Sequence, residues 1–157
     1  MDIREQLGLE VQASQSVVDA FDEAAALYLG VNRTDLRCLE VLLQDQEMTP
    51  SQLGMALGLT TGSVTAMLDR LEKLGYLTRS PDPGDRRKVI VRATEETAAK
   101  SWELYGPIVQ EGSSIPASYT DEQVELLLDF TRRSRELYER HVARVREMVG
   151  EKRPRKR

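Results

Sequence analysis

Two helix signals joined by one glycine-containing turn constrain this chain more than any other feature of it. Thr49-Pro50-Ser51-Gln52 spells a capping box, in which a threonine hydroxyl accepts from the Gln52 amide and the Gln52 side chain reaches back. Pro50 sits at the first helical position, where a missing N–H costs nothing. Met48 and Leu53 flank the box as a hydrophobic staple. The helix is short, because Gly58 suits a left-handed C-cap. After Leu59 a new helix opens at Thr60-Thr61. Over 61–74, Val64, Met67, Leu68, Leu71 and Leu74 share one face. Gly62, Thr65, Ala66, Asp69 and Lys73 lie opposite, with Arg70 beside them. This is a helix-turn-helix pattern.

After Gly75 the period changes. Tyr76-Leu77-Thr78-Arg79 and Lys88-Val89-Ile90-Val91-Arg92 read as short strands. Between them, Ser80 to Arg87 holds two prolines and a glycine, a turn-rich loop. The spacing predicts a β-hairpin with a long basic tip, a wing.

Helices flank this lobe on both sides. Residues 3–29 carry Ile3, Leu7, Val11, Val17, Val18, Phe21, Ala25 and Tyr28 at roughly helical spacing. Gly30 and Asn32 break that pattern, and a second helix is expected over Asp35–Asp45. Thr94 is placed to cap a fifth helix, with Glu95 and Glu96 in its first turn. Pro107 is expected to kink or end it. Gly112 to Ser118 reads as a linker. Thr120-Asp121-Glu122-Gln123 is a second capping box, and a long helix follows to about Val149. Residues 151–157 read as a charged, disordered tail. The expected fold class is mainly α with one small β-hairpin. Its layout is a first dimerisation helix in 1–34, a winged helix-turn-helix lobe in 35–97, further dimerisation helices in 98–150 and the tail 151–157.

Taken as a total, charge argues against a nucleic-acid partner, since the 157 residues carry a net −4. Its distribution reverses that inference. Residues 1–59 are net −7 and 94–150 net −4, whereas 60–93 are net +3 and 151–157 net +4. A local field, not the total, decides whether a phosphate is attracted. No apolar run approaches the ~18 residues that span a bilayer, and the start lacks a signal-peptide pattern. The single Cys38 excludes an internal disulfide and a cysteine zinc cage, and the single His141 a His-rich metal site. These features predict a cytoplasmic, soluble domain with no cofactor, no membrane partner and no catalytic constellation.

In such a motif the second helix faces the major groove, N-terminal residues first. Thr60, Thr61, Gly62, Ser63 and Thr65 are small enough for close approach, and threonine offers a hydroxyl and a methyl to base edges. The N–H groups of Thr61, Gly62 and Ser63 suit a phosphate. Read alone, the same residues are only a helix cap. The wing adds Arg86, Arg87 and Lys88 on a projecting loop, a shape that fits a narrow minor groove. Asp85 is expected to orient a guanidinium, that of Arg87 or of Arg70. The competing interpretation is a solvated tip that blocks aggregation.

Leu53 to Thr65, Leu68 to Tyr76, and the Asp85-Arg86-Arg87 of the wing together resemble the MarR family of bacterial winged-helix transcription regulators. The similarity runs through residues 35–97. The resemblance implies a homodimer whose first and last helices interlock, a palindromic double-stranded DNA operator, and repression relieved by a small phenolic or aromatic effector or an oxidant. It implies that Thr60, Thr61, Gly62, Ser63 and Thr65 face the major groove. Arg70 would support phosphate and wing contacts, and Arg87 would enter the minor groove. Arg79, Asp85, Arg86 and Lys88 complete the expected DNA-facing set. A winged helix used only for protein–protein assembly is the rival reading.

A dimer also follows from size, since a lobe of about 60 residues cannot cover two long apolar-striped helices. Pairing sets two α-helical readers about one DNA turn, ~34 Å, apart. Cys38 reads as a small buried hydrophobe, with peroxide sensing as the alternative. His141 reads as a packed or dimer-interface histidine. The tail reads as a solvated basic end, with phosphate contact as the alternative.

Overall fold

The computed structural model describes residues 1–152. In order, the elements are α1 (Ile3–Leu29), α2 (Arg33–Asp45), α3 (Pro50–Leu57), α4 (Thr61–Lys73), β1 (Leu77–Pro81), β2 (Val89–Ala93), α5 (Glu95–Gly112) and α6 (Asp121–Lys152). A single 3-10 turn, Pro116–Ser118, lies in the segment expected to be a linker. The fold is therefore mostly helical with one antiparallel hairpin, the class expected from the sequence.

Several boundaries differ from expectation for clear reasons. α2 begins at Arg33, because Asn32 is a cap and not merely a break: its side chain accepts from the Asp35 amide at 2.9 Å. α5 does not end at Pro107 but runs through it to Gly112. A proline removes one backbone donor and a helix can continue past that loss. α6 extends to Lys152, so the first two residues of the expected tail are helical. The rest of the tail, 153–157, lies outside the described residues. Leu74 is not on the buried face; it caps α4 and is exposed.

The chain divides into two compact units, the first ending at Gly106 and the second beginning at Pro107. The core of the first unit is built by the helix-turn-helix. Val64, Met67, Leu68 and Leu71 of α4 pack with Leu39 and Leu42 of α2, Leu53 of α3, and Leu77 and Val91 of the hairpin. Each such side chain, removed from water, contributes roughly 1.5–3 kcal/mol. A smaller cluster joins Ala25 and Ala26 of α1 to Leu36, with the Phe21 and Tyr105 rings edge to face at 5.2 Å.

In the second unit none of the described residues from 107 to 150 is buried. Leu127, Leu128, Leu137, Val142, Val145 and Met148 of α6 are all exposed. On α1, Ile3, Leu7, Val17 and Val18 are exposed too. No helix among the described residues is long and apolar enough to cross a membrane.

Candidate nucleic-acid interface

The turn between α3 and α4 is set by two glycines with different tasks. Gly58 adopts φ 67°, the left-handed region that glycine enters without steric cost. Gly54 lets the helices close on one another: a Cβ there would stand 3.3 Å from Val64 Cγ2 and 3.4 Å from the Leu59 carbonyl. The capping box ahead of α3 is fully formed. Thr49 N–H donates to Gln52 Oε1 at 2.8 Å, and Gln52 N–H donates to Thr49 Oγ1 at 3.2 Å.

The N-terminus of α4 is capped from within. Ser63 N–H donates to Thr60 Oγ1 at 3.3 Å, and the two hydroxyls are 2.9 Å apart. The expected set of three open amides is thereby reduced to those of Thr61 and Gly62. Thr65 Oγ1 donates to the Thr61 carbonyl at 3.0 Å, so its hydrogen is committed to the helix. Thr60, Thr61, Gly62, Ser63 and Thr65 are all exposed. No neighbour lies within 4 Å of where a Gly62 Cβ would be. The helix start thus presents a surface of small groups.

The wing is pinned at both ends. β1 and β2 pair in register from Leu77 with Ala93 to Pro81 with Val89. Met48 extends the sheet by one isolated bridge, exchanging backbone bonds with Val91 at 3.1 and 2.8 Å. On the loop, Asp82 Oδ1 accepts from the Gly84 and Asp85 amides at 2.7 and 3.3 Å. Asp85 Oδ1 accepts from both the amide and Nε of Arg87, at 3.1 and 3.2 Å. Asp85 is therefore bound to Arg87, and the alternative partner Arg70 is elsewhere. Arg87 is 92% exposed. Arg86 and Lys88 are exposed as well, and neither side chain has an ion-pair partner among the described residues.

Two other arginines of the expected DNA-facing set are differently placed. Arg70 Nη2 stands 2.7 Å from Oδ1 of Asp35, whose side chain is 4% exposed. Arg79 Nη2 stands 2.8 Å from Asp69 and 2.5 Å from Glu72, both on α4. The Arg79 hydrogen bond draws the Glu72 carboxyl below the ordinary carboxylate range. Glu72 and, after it, Asp69 raise Arg79 in turn.

Comparison with known proteins fits this geometry. Residues 31–89 match the family model described as MarR family. The chain is 36% identical over 127 residues to an HTH-type transcriptional regulator of Bacillus subtilis, YcgE, covering 81% of this chain and 82% of that one. The chain belongs to the MarR family. Its fold is that of the MarR-type regulators. The B. subtilis YusO protein superposes with a TM-score of 0.60 at 20% identity, over 85% of this chain and 95% of that one. A cysteine-to-serine mutant of Escherichia coli MarR, solved in complex with operator DNA, superposes with a TM-score of 0.50 at 23% identity, over 85% and 99%. The chain is accordingly a MarR-family transcriptional regulator.

Three residues of this MarR-type lobe were not singled out by sequence. Asp35, Asp69 and Glu72 hold the arginines that sequence reading aimed at DNA. A signal for two of them was present, since residues three apart on a helix share a face and β1 leaves α4 by a turn of only a few residues. Asp35 carries no such signal, because its partner lies 35 positions away. Cys38 is completely buried, and burial, with the nearby Asp35 charge, pushes its thiol up to about 12. His141 is exposed in the single chain, not packed; its Nδ1 accepts from Arg144 Nε at 3.1 Å.

Proposed function

We propose that this regulator acts as a homodimeric repressor on a palindromic operator, with α4 in the major groove and the wing in the minor groove. The observation that carries the reading is one lobe presenting both an open, small-residue helix start and a projecting tip with Arg86, Arg87 and Lys88 exposed. Thr60, Thr61, Gly62, Ser63 and Thr65 are the groove-facing set, and Arg87 is the arginine that reads groove width. Arg70, held to Asp35 yet half exposed, supports the backbone of the site.

The dimer is supported by the bare apolar stripe of α6 and the exposed apolar residues of α1. Helices with such stripes gain most of their stability from packing, and contiguous exposed apolar surface marks an interface. Size-exclusion chromatography with light scattering tests it: two chains per particle is expected. Residues 1–34 and 98–150 would supply that interface.

Relief by a small aromatic effector is the remaining part of the reading. The candidate seat is an apolar cleft lined by Leu36, Leu39, Leu43, Tyr76 and Tyr105 with Lys100 at its edge; at about 20 Å³ it must open to admit an aromatic ring. Simple aromatic acids should raise the melting temperature and lower DNA affinity. The reading as a whole is tested by mobility shift of the intergenic DNA upstream of the chain's own gene, at low and physiological salt. Loss of all preference over unrelated DNA would leave protein–protein assembly as the better account.

A further inference from the structure

We infer that Arg79 is a positioning residue for DNA recognition: it straps the wing to α4 through Asp69 and Glu72 and makes no contact with DNA itself. The inference rests on the wing-and-helix reading above.

The hairpin has only two strands and one isolated bridge, and a ribbon of that size is marginal alone. Its direction must therefore be set by attachments to the lobe. Leu77 and Val91 anchor its base by burial, and Ile90, opposite Ser80, is buried one pair further out. Between these, opposite Val91, Arg79 is the side chain of β1 that reaches α4. Its Nε and Nη2 bond Glu72 Oε2 at 3.1 and 2.5 Å, and Nη2 stands 2.8 Å from Asp69 Oδ1. On β2, Arg92 makes the counterpart attachment, to Ser80 Oγ at 3.1 Å and to Glu47. From Asp82 to Lys88 the side-chain hydrogen bonds stay within the loop.

The lever follows from this arrangement. Arg87 sits beyond the last strand pair, Pro81 with Val89, so a small tilt at Arg79 displaces the tip by more. Two carboxylates on one guanidinium also fix its direction, because a planar fork that serves two acceptors has little rotational freedom. At 29% exposure and with Nε and Nη2 engaged by the two acids, Arg79 could turn its bidentate edge to a phosphate only by breaking the strap.

Three full-length variants separate positioning from contact, using the upstream intergenic duplex as probe. Arg79→Gln should weaken binding roughly tenfold, the size of one lost groove contact, with the slope of log K against log salt unchanged. A phosphate contact would instead take about 0.9 from that slope. Arg79→Lys keeps a charge that can reach one acid and should recover part of the affinity. The pair Asp69→Asn with Glu72→Gln frees Arg79 and removes two negative charges. Positioning predicts weaker binding for it; equal or tighter binding overturns the inference.

Hydrogen exchange on the DNA-free protein provides an arm independent of DNA. Arg79→Gln should speed exchange of the amides of 79–91 while those of α2 keep the wild-type rate. Unchanged hairpin exchange overturns the strap. A wild-type chain that binds no duplex overturns the DNA reading, and exchange then decides the strap alone.

Discussion

Arg70 closes on Asp35 with Nη2 2.7 Å from Oδ1 and Nε 3.3 Å from Oδ2, tying the last turn of α4 to the first turn of α2. The pair is asymmetric, since the Asp35 side chain is 4% exposed and that of Arg70 50%. Breaking a pair strands whichever charge is buried. Arg70→Met should therefore lower the urea midpoint more than Asp35→Asn, which leaves a guanidinium that water can reach. The double variant Arg70→Met with Asp35→Leu should recover most of the loss, because no charge is left unpaired. Equal and additive losses would contradict this assignment.

Gly62 separates stability from recognition. A Cβ there meets nothing within 4 Å, and alanine is a better helix former than glycine by up to about 1 kcal/mol. Gly62→Ala should raise the melting temperature slightly and weaken specific DNA binding, since the added methyl stands where the helix start would approach a base. Unaltered binding in a stabilised variant would remove Gly62 from the interface.

Thr65 divides its groups between helix and solvent. Its hydroxyl hydrogen already serves the Thr61 carbonyl, so the methyl is the group most available to a thymine edge. Thr65→Val should change base preference less than Thr65→Ala, with salt dependence unaltered in both. A uniform loss across sequences would mean that the residue contacts backbone rather than bases.

How much of this was legible in the sequence follows from how local each signal is. The two caps around α3 and α4 and the buried face of α4, apart from Leu74, depend on residues three or four positions apart and are readable; the wing is readable because its strands and turn-rich loop each carry their own local signal. Asn32 reads as a break in sequence because a cap and a breaker use the same residue type. Pro107 reads as a kink or an end because proline does cost a bond, yet the helix continues past it. Arg70 and Arg79 are the informative cases. A basic residue near a binding motif looks like a phosphate contact; Asp69 and Glu72 lie within ten positions of Arg79 on one helix face, whereas only the fold brings Asp35 to Arg70.

Cys38 gives a prediction about chemistry and pH. The buried thiol is pushed up to about 12, against an ordinary thiol near 8.5. It stays protonated, and hence a poor nucleophile, through the physiological range. Maleimide labelling at pH 8 should be slow in the native protein and rapid in urea, and peroxide should leave DNA binding unaltered. The linkage sign is that of an acid raised by folding. The stabilising contribution is complete below the unfolded thiol's value and declines as pH rises above it towards 12. Rapid native labelling, or a peroxide response abolished by Cys38→Ser, would reverse the assignment.

The central claim is that the start of α4 and the wing read DNA together. Footprinting of the wild-type protein on its own upstream intergenic DNA, at physiological salt, with Arg87→Ala in parallel, tests it most directly. The account predicts two symmetric major-groove protections about one helical turn apart, ~34 Å, with flanking minor-groove protections that disappear in Arg87→Ala. Protection without symmetry, or a footprint that Arg87→Ala leaves whole, would contradict it.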